Sequence, residues 1–260
     1  MPGGVSRLCC VFLLILWVCT PQCNARYGCC RPRYNVPQKP DPLSGLVFLE
    51  DNCVLAFRAT AGIGRSAYDR YVATGTNDDS PLARSALPCG CLTVNGSLPC
   101  DRHYRSRILD DWPSSLIDTV RVTVYEDGVA QRFVEFNGMD STYLDWFAQD
   151  NVVDSDWTDV DTDTTNFFSI FGLVQPNAPT LRRFYINRNF GGCNIDRGWL
   201  LVAEADDVCD FVPPGPYPVI LYSSATTDAN LNTADFRQAD VLTVTVKFKD
   251  TARFSGYCIP

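Results

Sequence analysis

The stretch from Arg182 to Cys209, RRFYINRNFGGCNIDRGWLLVAEADDVC, constrains the fold more than any other part of the chain. Arg183 to Asn187 alternates charged, aromatic and aliphatic residues, and Gly198 to Val202 is a continuous apolar run. The two read as strands joined by the loop 189–197, whose glycines supply backbone angles that other residues avoid. Cys193 and Cys209 flank this unit. Paired, they close a loop of about 17 residues, worth roughly 3 kcal/mol on the chain-entropy model. The pattern predicts a β-rich, disulfide-stapled protein of an oxidising compartment.

The N-terminus agrees with that compartment. Arg7, the apolar run Val11–Val18 and the small residues around Cys23-Asn24-Ala25 read as a secretory signal peptide, residues 1–25. The run is too short to span a membrane, and no other approaches the ~20 residues required. Removing residues 1–25 takes away Arg7 and four of the 13 cysteines, leaving nine. An odd number predicts four bridges with one thiol over, or an intermolecular disulfide. The 30 acidic residues then face 21 basic ones, which argues against nucleic acid as a partner.

Residues 26–44 form a Pro-rich leader holding Cys29 and Cys30, and 45–260 read as one module. Within it, Leu46–Leu49 and Cys53–Thr60 are strand-like, and 62–100 is loop-rich. A bridge is expected among Cys89, Cys91 and Cys100, and Asn95-Gly96-Ser97 is a glycosylation sequon. The clearest hairpin is Asp118–Glu126 and Val129–Phe136 around Asp127-Gly128. Val120, Val122, Val124 and Phe133 are expected on its buried face, with Arg121, Thr123 and Arg132 wet. Further strands are expected at Phe167–Phe171, Arg183–Asn187, Trp199–Glu204, Val219–Ser223 and Val241–Phe248. Ser141–Gln149 is the one stretch read as a short helix. Many short strands with turn signals between them indicate an all-β fold, an antiparallel β-sandwich of the jelly-roll kind with long loops.

Charge is unevenly spread. Between Arg132 and Arg182 there is no Lys or Arg, while Glu135, Asp140, Asp145, Asp150, Asp154, Asp156, Asp159, Asp161 and Asp163 occur. In an extended chain, Asp154/Asp156 and Asp159/Asp161/Asp163 each share a face, with carboxylates ~6.5–7 Å apart. These five are the candidate metal residues, since hard divalent cations prefer oxygen ligands. The spacing fails the EF-hand test, because the sixth position from Asp154 is Asp159 and the twelfth Thr165. The alternatives are therefore a solvated acidic loop or weak Ca²⁺ contact, roughly 10⁻⁴–10⁻³ M. No other cofactor is expected.

Catalytic patterns are missing. Gly62-Ile63-Gly64-Arg65-Ser66-Ala67 matches G-x-G-x-x-A, but Tyr68–Gly75 is too short and too β-prone to supply the helix that motif needs, so it reads as a glycine turn. His103, the only histidine, has no nucleophile context around it. Cys89-Gly90-Cys91 reads as bridge chemistry rather than zinc. A glycosidase needs only two acids, and nothing selects a pair.

The motifs CVLAFRATAGIG (53–64), RHYRS (102–106), DWF (145–147), WTDV (157–160), FFSIFG (167–172), RRFYINRNFGGCNIDRGWLLVAE (182–204), ILYSS (220–224) and ADVLTVTVKF (239–248) occur in this order. Together they resemble a cysteine-containing module of secreted invertebrate proteins, the uncharacterized skeletal organic matrix proteins of stony corals. The resemblance covers most of the chain from about Gly45 and carries no catalytic residues. It implies a non-enzymatic protein whose partners are matrix macromolecules or calcium mineral. The rival expectation is a lectin or adhesion module using Trp146, Trp157 or Trp199 as stacking platforms, although large aromatics are mostly core residues.

Overall fold

The computed structural model describes residues 46–49, 53–175 and 178–249. The expected signal peptide and leader, with Cys29 and Cys30, lie outside the described residues, as does Cys258. Thirteen strands are present: β1 (Val54–Thr60), β2 (Tyr104–Arg105), β3 (Ile117–Glu126), β4 (Val129–Asn137), β5 (Val152–Ser155), β6 (Phe167–Ser169), β7 (Leu173–Gln175), β8 (Thr180–Asn189), β9 (Arg197–Ala203), β10 (Val219–Ser223), β11 (Ala229–Asn230), β12 (Phe236–Ala239) and β13 (Val241–Phe248). One antiparallel sheet has the order β2-β1-β13-β3-β4-β5, the other β12-β10-β9-β8-β6, with β11 on β9 and β7 on β8. The first and last long strands are neighbours. The antiparallel sandwich expected from the sequence is therefore present.

Asp127 and Gly128 have φ of 49° and 80°, the positive pair that a two-residue hairpin turn of this hand requires. The register sets Val120 opposite Phe136 and Val122 opposite Val134, and these four are buried. Phe133 and Thr123 correct the sequence reading. Phe133 shares the other face with Glu135 and lies under the Arg121 guanidinium, 4.4 Å from ring centroid to Cζ. Period-2 alternation would have buried Glu135 along with it. Thr123 is buried although it points away from the core. The segment Cys89–Cys100 folds over that side of the sheet, with Thr93 O bonded to Arg58 and Asn95 packed against Gly128.

The main core lies between the sheets. Phe57, Val120, Val122, Phe136, Val244 and Val246 come from one side, and Phe184, Ile186, Leu200, Val202, Ile220 and Tyr222 from the other. Phe57 stacks on Phe184 at 6.2 Å, and Phe136 meets Trp146 edge-on at 5.1 Å. Each sheet also buries its outer face. Over β1, Leu55 packs with Val47, Leu87, Cys91 and Tyr104, and the Cys91–Cys100 disulfide closes this cover. Over the other sheet, Tyr185, Leu201, Ala203 and Leu221 pack with Val212 and Leu231, and Cys193–Cys209 pins the returning segment. Covered on both faces, β1 and β9 are buried along almost their whole length, polar Arg58 and Thr60 included.

Three short α-helices occur among the described residues, α1 (Ala67–Val72), α2 (Pro81–Ser85) and α3 (Ile108–Asp111), with two 3₁₀ turns, Cys89–Leu92 and Gln149–Asn151. The first corrects the expectation of no helix after Gly64. Ser66 caps it by accepting from Asp69 N at 2.9 Å, and Glu204 accepts from Tyr68 N at 2.7 Å. The glycine turn itself stands: Gly62 and Gly64 have φ of +72° and +69°, and their N–H groups donate to Pro218 O and Tyr217 O. Ser141–Gln149 does not form the expected helix; only Gln149, opening the 3₁₀ turn Gln149–Asn151, is helical. Asp145 accepts from Thr142 N at 2.6 Å, and Asn151 donates to Asp145 O and Trp146 O. These side-chain bonds offer the backbone an alternative to helix.

Candidate functional site

The acid-only segment wraps one edge of the sandwich. Asp154 stands in the edge strand β5, opposite Glu135, and is exposed. Extended geometry ends at Ser155, so the expected row of carboxylates does not form. Asp156 accepts from Phe133 N at 3.0 Å. Asp159 accepts from Trp199 Nε1 at 2.7 Å and from Asp228 N at 3.0 Å. Asp163 pairs with Arg188 at 2.9 Å, and Asp161 is exposed. Two of the five sequence candidates, Asp159 and Asp163, meet, and they meet a third acid that sequence reasoning missed. Carboxylate oxygens of Asp159, Asp163 and Asp228 lie within 4.8 Å of one another. Asp228 is about 65 residues further on, outside any acidic run, so no sequence signal points to it.

This cluster does not fit a cation site. Arg188 bonds Asp163 and Asp228, the latter at 3.1 Å, and Arg197 bonds Asp228 at 2.6 Å. Two guanidiniums against three carboxylates leave one net negative charge. The oxygens a cation would use are already held by Arg188, Arg197 and Trp199. The cluster is an ion-pair node tying the acidic segment to β8 and β9.

The acids that stay open to solvent are different ones. Asp140, Asp145, Asp150, Asp154 and Asp161 are all exposed, and none forms an ion pair with a described basic residue. They lie on β5 and the loops on either side of it.

The remaining candidates resolve into structural roles. Trp146, Trp157 and Trp199 are buried, their indole N–H groups donating to Tyr143 O, Ser223 O and Asp159. None offers a stacking face. His103 is buried, accepts at Nδ1 from Thr60 N at 3.0 Å and donates from Nε2 to Arg65 O. Desolvation pushes its pKa down to about 4, so it is neutral at physiological pH. Asn95 is half-buried, and its side-chain oxygen accepts from Ser97 N at 2.9 Å.

Cys193–Cys209 and Cys91–Cys100 are both formed, with Cα separations of 5.1 and 4.9 Å. Cys89 is disulfide-bonded as well, to neither Cys91 nor Cys100. Beside the first bridge, buried Arg182 binds Asp207 with two bonds (2.8 and 2.9 Å) and Asp196 at 3.0 Å. Burial opposes its charge, but Asp207, Tyr185 and Asp196 hold its pKa above the ordinary value.

On the outer face of the first sheet, a groove of about 240 Å³ is lined by Cys53, Thr119, Arg121, Glu135, Thr245 and Lys247. Arg121 and Glu135 are ion-paired within it. Among the described residues no helix is long and apolar enough to cross a membrane. Comparison of the chain with protein-family models, with curated proteins and with solved structures finds no match in any of the three.

Proposed function

We propose that this chain is a secreted, non-enzymatic component of an extracellular skeletal organic matrix that meets calcium mineral through exposed carboxylates. The observation that carries this reading is the set Asp140, Asp145, Asp150, Asp154 and Asp161: exposed, without described basic partners, in a stretch that has no Lys or Arg of its own. Carboxylates free of guanidinium partners are the hard oxygen donors that a calcium surface takes. Formed disulfides support the oxidising compartment. The neutral, enclosed His103 and the arginine-bound acid cluster support a non-catalytic role. A glycan on Asn95 belongs to the same reading, since that carboxamide makes its bond through oxygen and its nitrogen bonds none of the described residues.

Adsorption of the purified protein to calcium carbonate powder tests the proposal. Replacing Asp140, Asp145, Asp150, Asp154 and Asp161 by Asn should lower adsorption about tenfold. Replacing Asp111, Asp210 and Asp235, exposed acids elsewhere, should leave it nearly unchanged. Added salt should weaken it, because exposed charges are screened over about 8 Å at physiological ionic strength. Equal adsorption by the fivefold variant sinks the mineral reading. Saturable binding on a glycan array, with mineral adsorption absent, would favour a carbohydrate-binding module instead.

A further inference from the structure

We propose that the polar groove on the outer face of the first sheet binds one acidic sugar unit of an extracellular polysaccharide, its oxyanion on Lys247 and its ring hydroxyls on Arg121 and Glu135. Strand register builds the site. Thr245 stands opposite Arg121, and Lys247 opposite Thr119. Arg121 in turn faces Glu135, and Glu135 faces Asp154. Paired residues of neighbouring strands share a face. Leu55, opposite Thr245, belongs to the outer cover, so the whole set points outward. The segment Cys89–Cys100 roofs the next row along, where Thr93 O bonds Arg58, and the groove of about 240 Å³ opens beside it.

The lining has bonding capacity to spare. Arg121 Nε and Nη2 both bond Glu135 through Oε2. Among the described residues, nothing bonds Arg121 Nη1 or Glu135 Oε1, and nothing pairs with the Lys247 ammonium. A free donor beside a free acceptor suits a sugar hydroxyl, which donates and accepts at once. The guanidinium is also held in place beforehand, by Glu135 on one side and by the Phe133 ring, 4.4 Å from Cζ to centroid. Such preorganisation lowers the cost of binding.

Charge and size select the ligand. Arg121 and Lys247 against Glu135 leave one positive charge in the groove, on a chain of net charge −8. The charge is graded across the strands: Lys247 lies on β13, Glu135 on β4, and the exposed Asp154 on β5 beyond it. An oxyanion therefore settles at Lys247, away from both carboxylates, and neutral hydroxyls turn toward Glu135. The volume falls below the ~300–1,000 Å³ of sites for drug-sized ligands, which suits a single ring of a longer chain. Apart from Cys53, every lining side chain is polar or charged, so there is nothing to grip the apolar side chains of a peptide.

The test is calorimetric titration of the full secreted protein, without calcium, against a chondroitin 4-sulfate hexasaccharide, its unsulfated parent and neutral cellohexaose. Saturable binding of chondroitin 4-sulfate is expected, with cellohexaose at least about tenfold weaker, the scale of one charged hydrogen bond. Equal binding of the unsulfated parent places the uronate carboxylate on Lys247; weaker binding places the sulfate ester there. K247Q and R121M should each weaken binding about tenfold or more, with urea midpoints near that of wild type, whereas K247R should retain it. R65Q, which removes an exposed cation elsewhere, should bind as wild type does. Absence of binding, equal affinity for cellohexaose, wild-type affinity in K247Q, or an equal loss in R65Q would each overturn the site. Mineral plays no part in this assay, so a negative result leaves the proposed mineral contact standing, and loss of mineral adsorption leaves this site standing.

Discussion

Replacing Arg182 by Met should be among the most damaging single changes to this protein. Its guanidinium is fully buried, and the two carboxylates it binds, Asp196 and Asp207, are 0% and 1% exposed. It also lies 4.9 Å from the Phe211 ring, so it packs the returning segment as well as neutralising it. Methionine fills much of the same volume but leaves two buried carboxylates without a cation. Breaking a buried pair in this way typically costs about 3–5 kcal/mol. Asp196 keeps bonds from Gly191 N and Gly192 N, and Asp207 keeps one from Cys209 N, which places the estimate in that range rather than above it. For a chain of this size each kcal/mol moves Tm by roughly 2–4 °C, so a fall of about 6–20 °C is expected. Urea unfolding with disulfides intact would measure the loss. Limited proteolysis should show the segment 204–218 cut first, because Asp207 is its tie to β8. Converting both acids as well, in R182M/D196N/D207N, should recover part of the loss. If R182M costs less than about 1 kcal/mol, or the triple variant is no better, charge pairing does not hold this cover in place.

Acid sensitivity should carry the signature of His103. Its folded pKa of about 4 lies below the usual 6.5, so stability is fully present above about pH 6.5 and is lost as pH falls toward 4. The full loss is about 3 kcal/mol; a pH series of urea midpoints should show it, and H103Q should flatten it. Replacing Cys193 and Cys209 together by Ser should cost roughly 3 kcal/mol, while Arg182 still holds the segment through Asp207. A loss below about 1 kcal/mol would show that the bridge adds little to that ion pair.

Where a local rule acted alone, the sequence was readable. The paired turn residues Asp127-Gly128, the alternation in β3 and the bounds Val219–Ser223 and Val241–Phe248 all follow from backbone chemistry over a few residues. Cys193 and Cys209 were legible because a glycine loop and one strand separate them. Contacts closed by distant residues were hidden. The helix Ala67–Val72 depends on a carboxylate from Glu204, more than 130 residues away. Thr123 is buried by a loop that pattern analysis treats as solvated. The acidic segment misled for the same reason: composition shows charge but not partners. Trp199 takes up Asp159 and Arg188 takes up Asp163, whereas Asp140, Asp145 and Asp150 stay open.

The lengths of the strands have a consequence for crowded surroundings. β3 and β8 run ten residues and β13 eight, and each has neighbours on both sides. The strands with a neighbour on one side only are β2 and β11 with two residues each, β6 and β7 with three each, and β5 and β12 with four each. A short margin gives an incoming chain few backbone groups to pair with, and charged side chains such as Asp154 and Arg237 discourage it further. Packed at high density, copies of this protein should therefore stay individually folded instead of fusing into continuous fibrils. Cohesion among them would have to come from side-chain contacts at their surfaces, which can be undone without unfolding the protein.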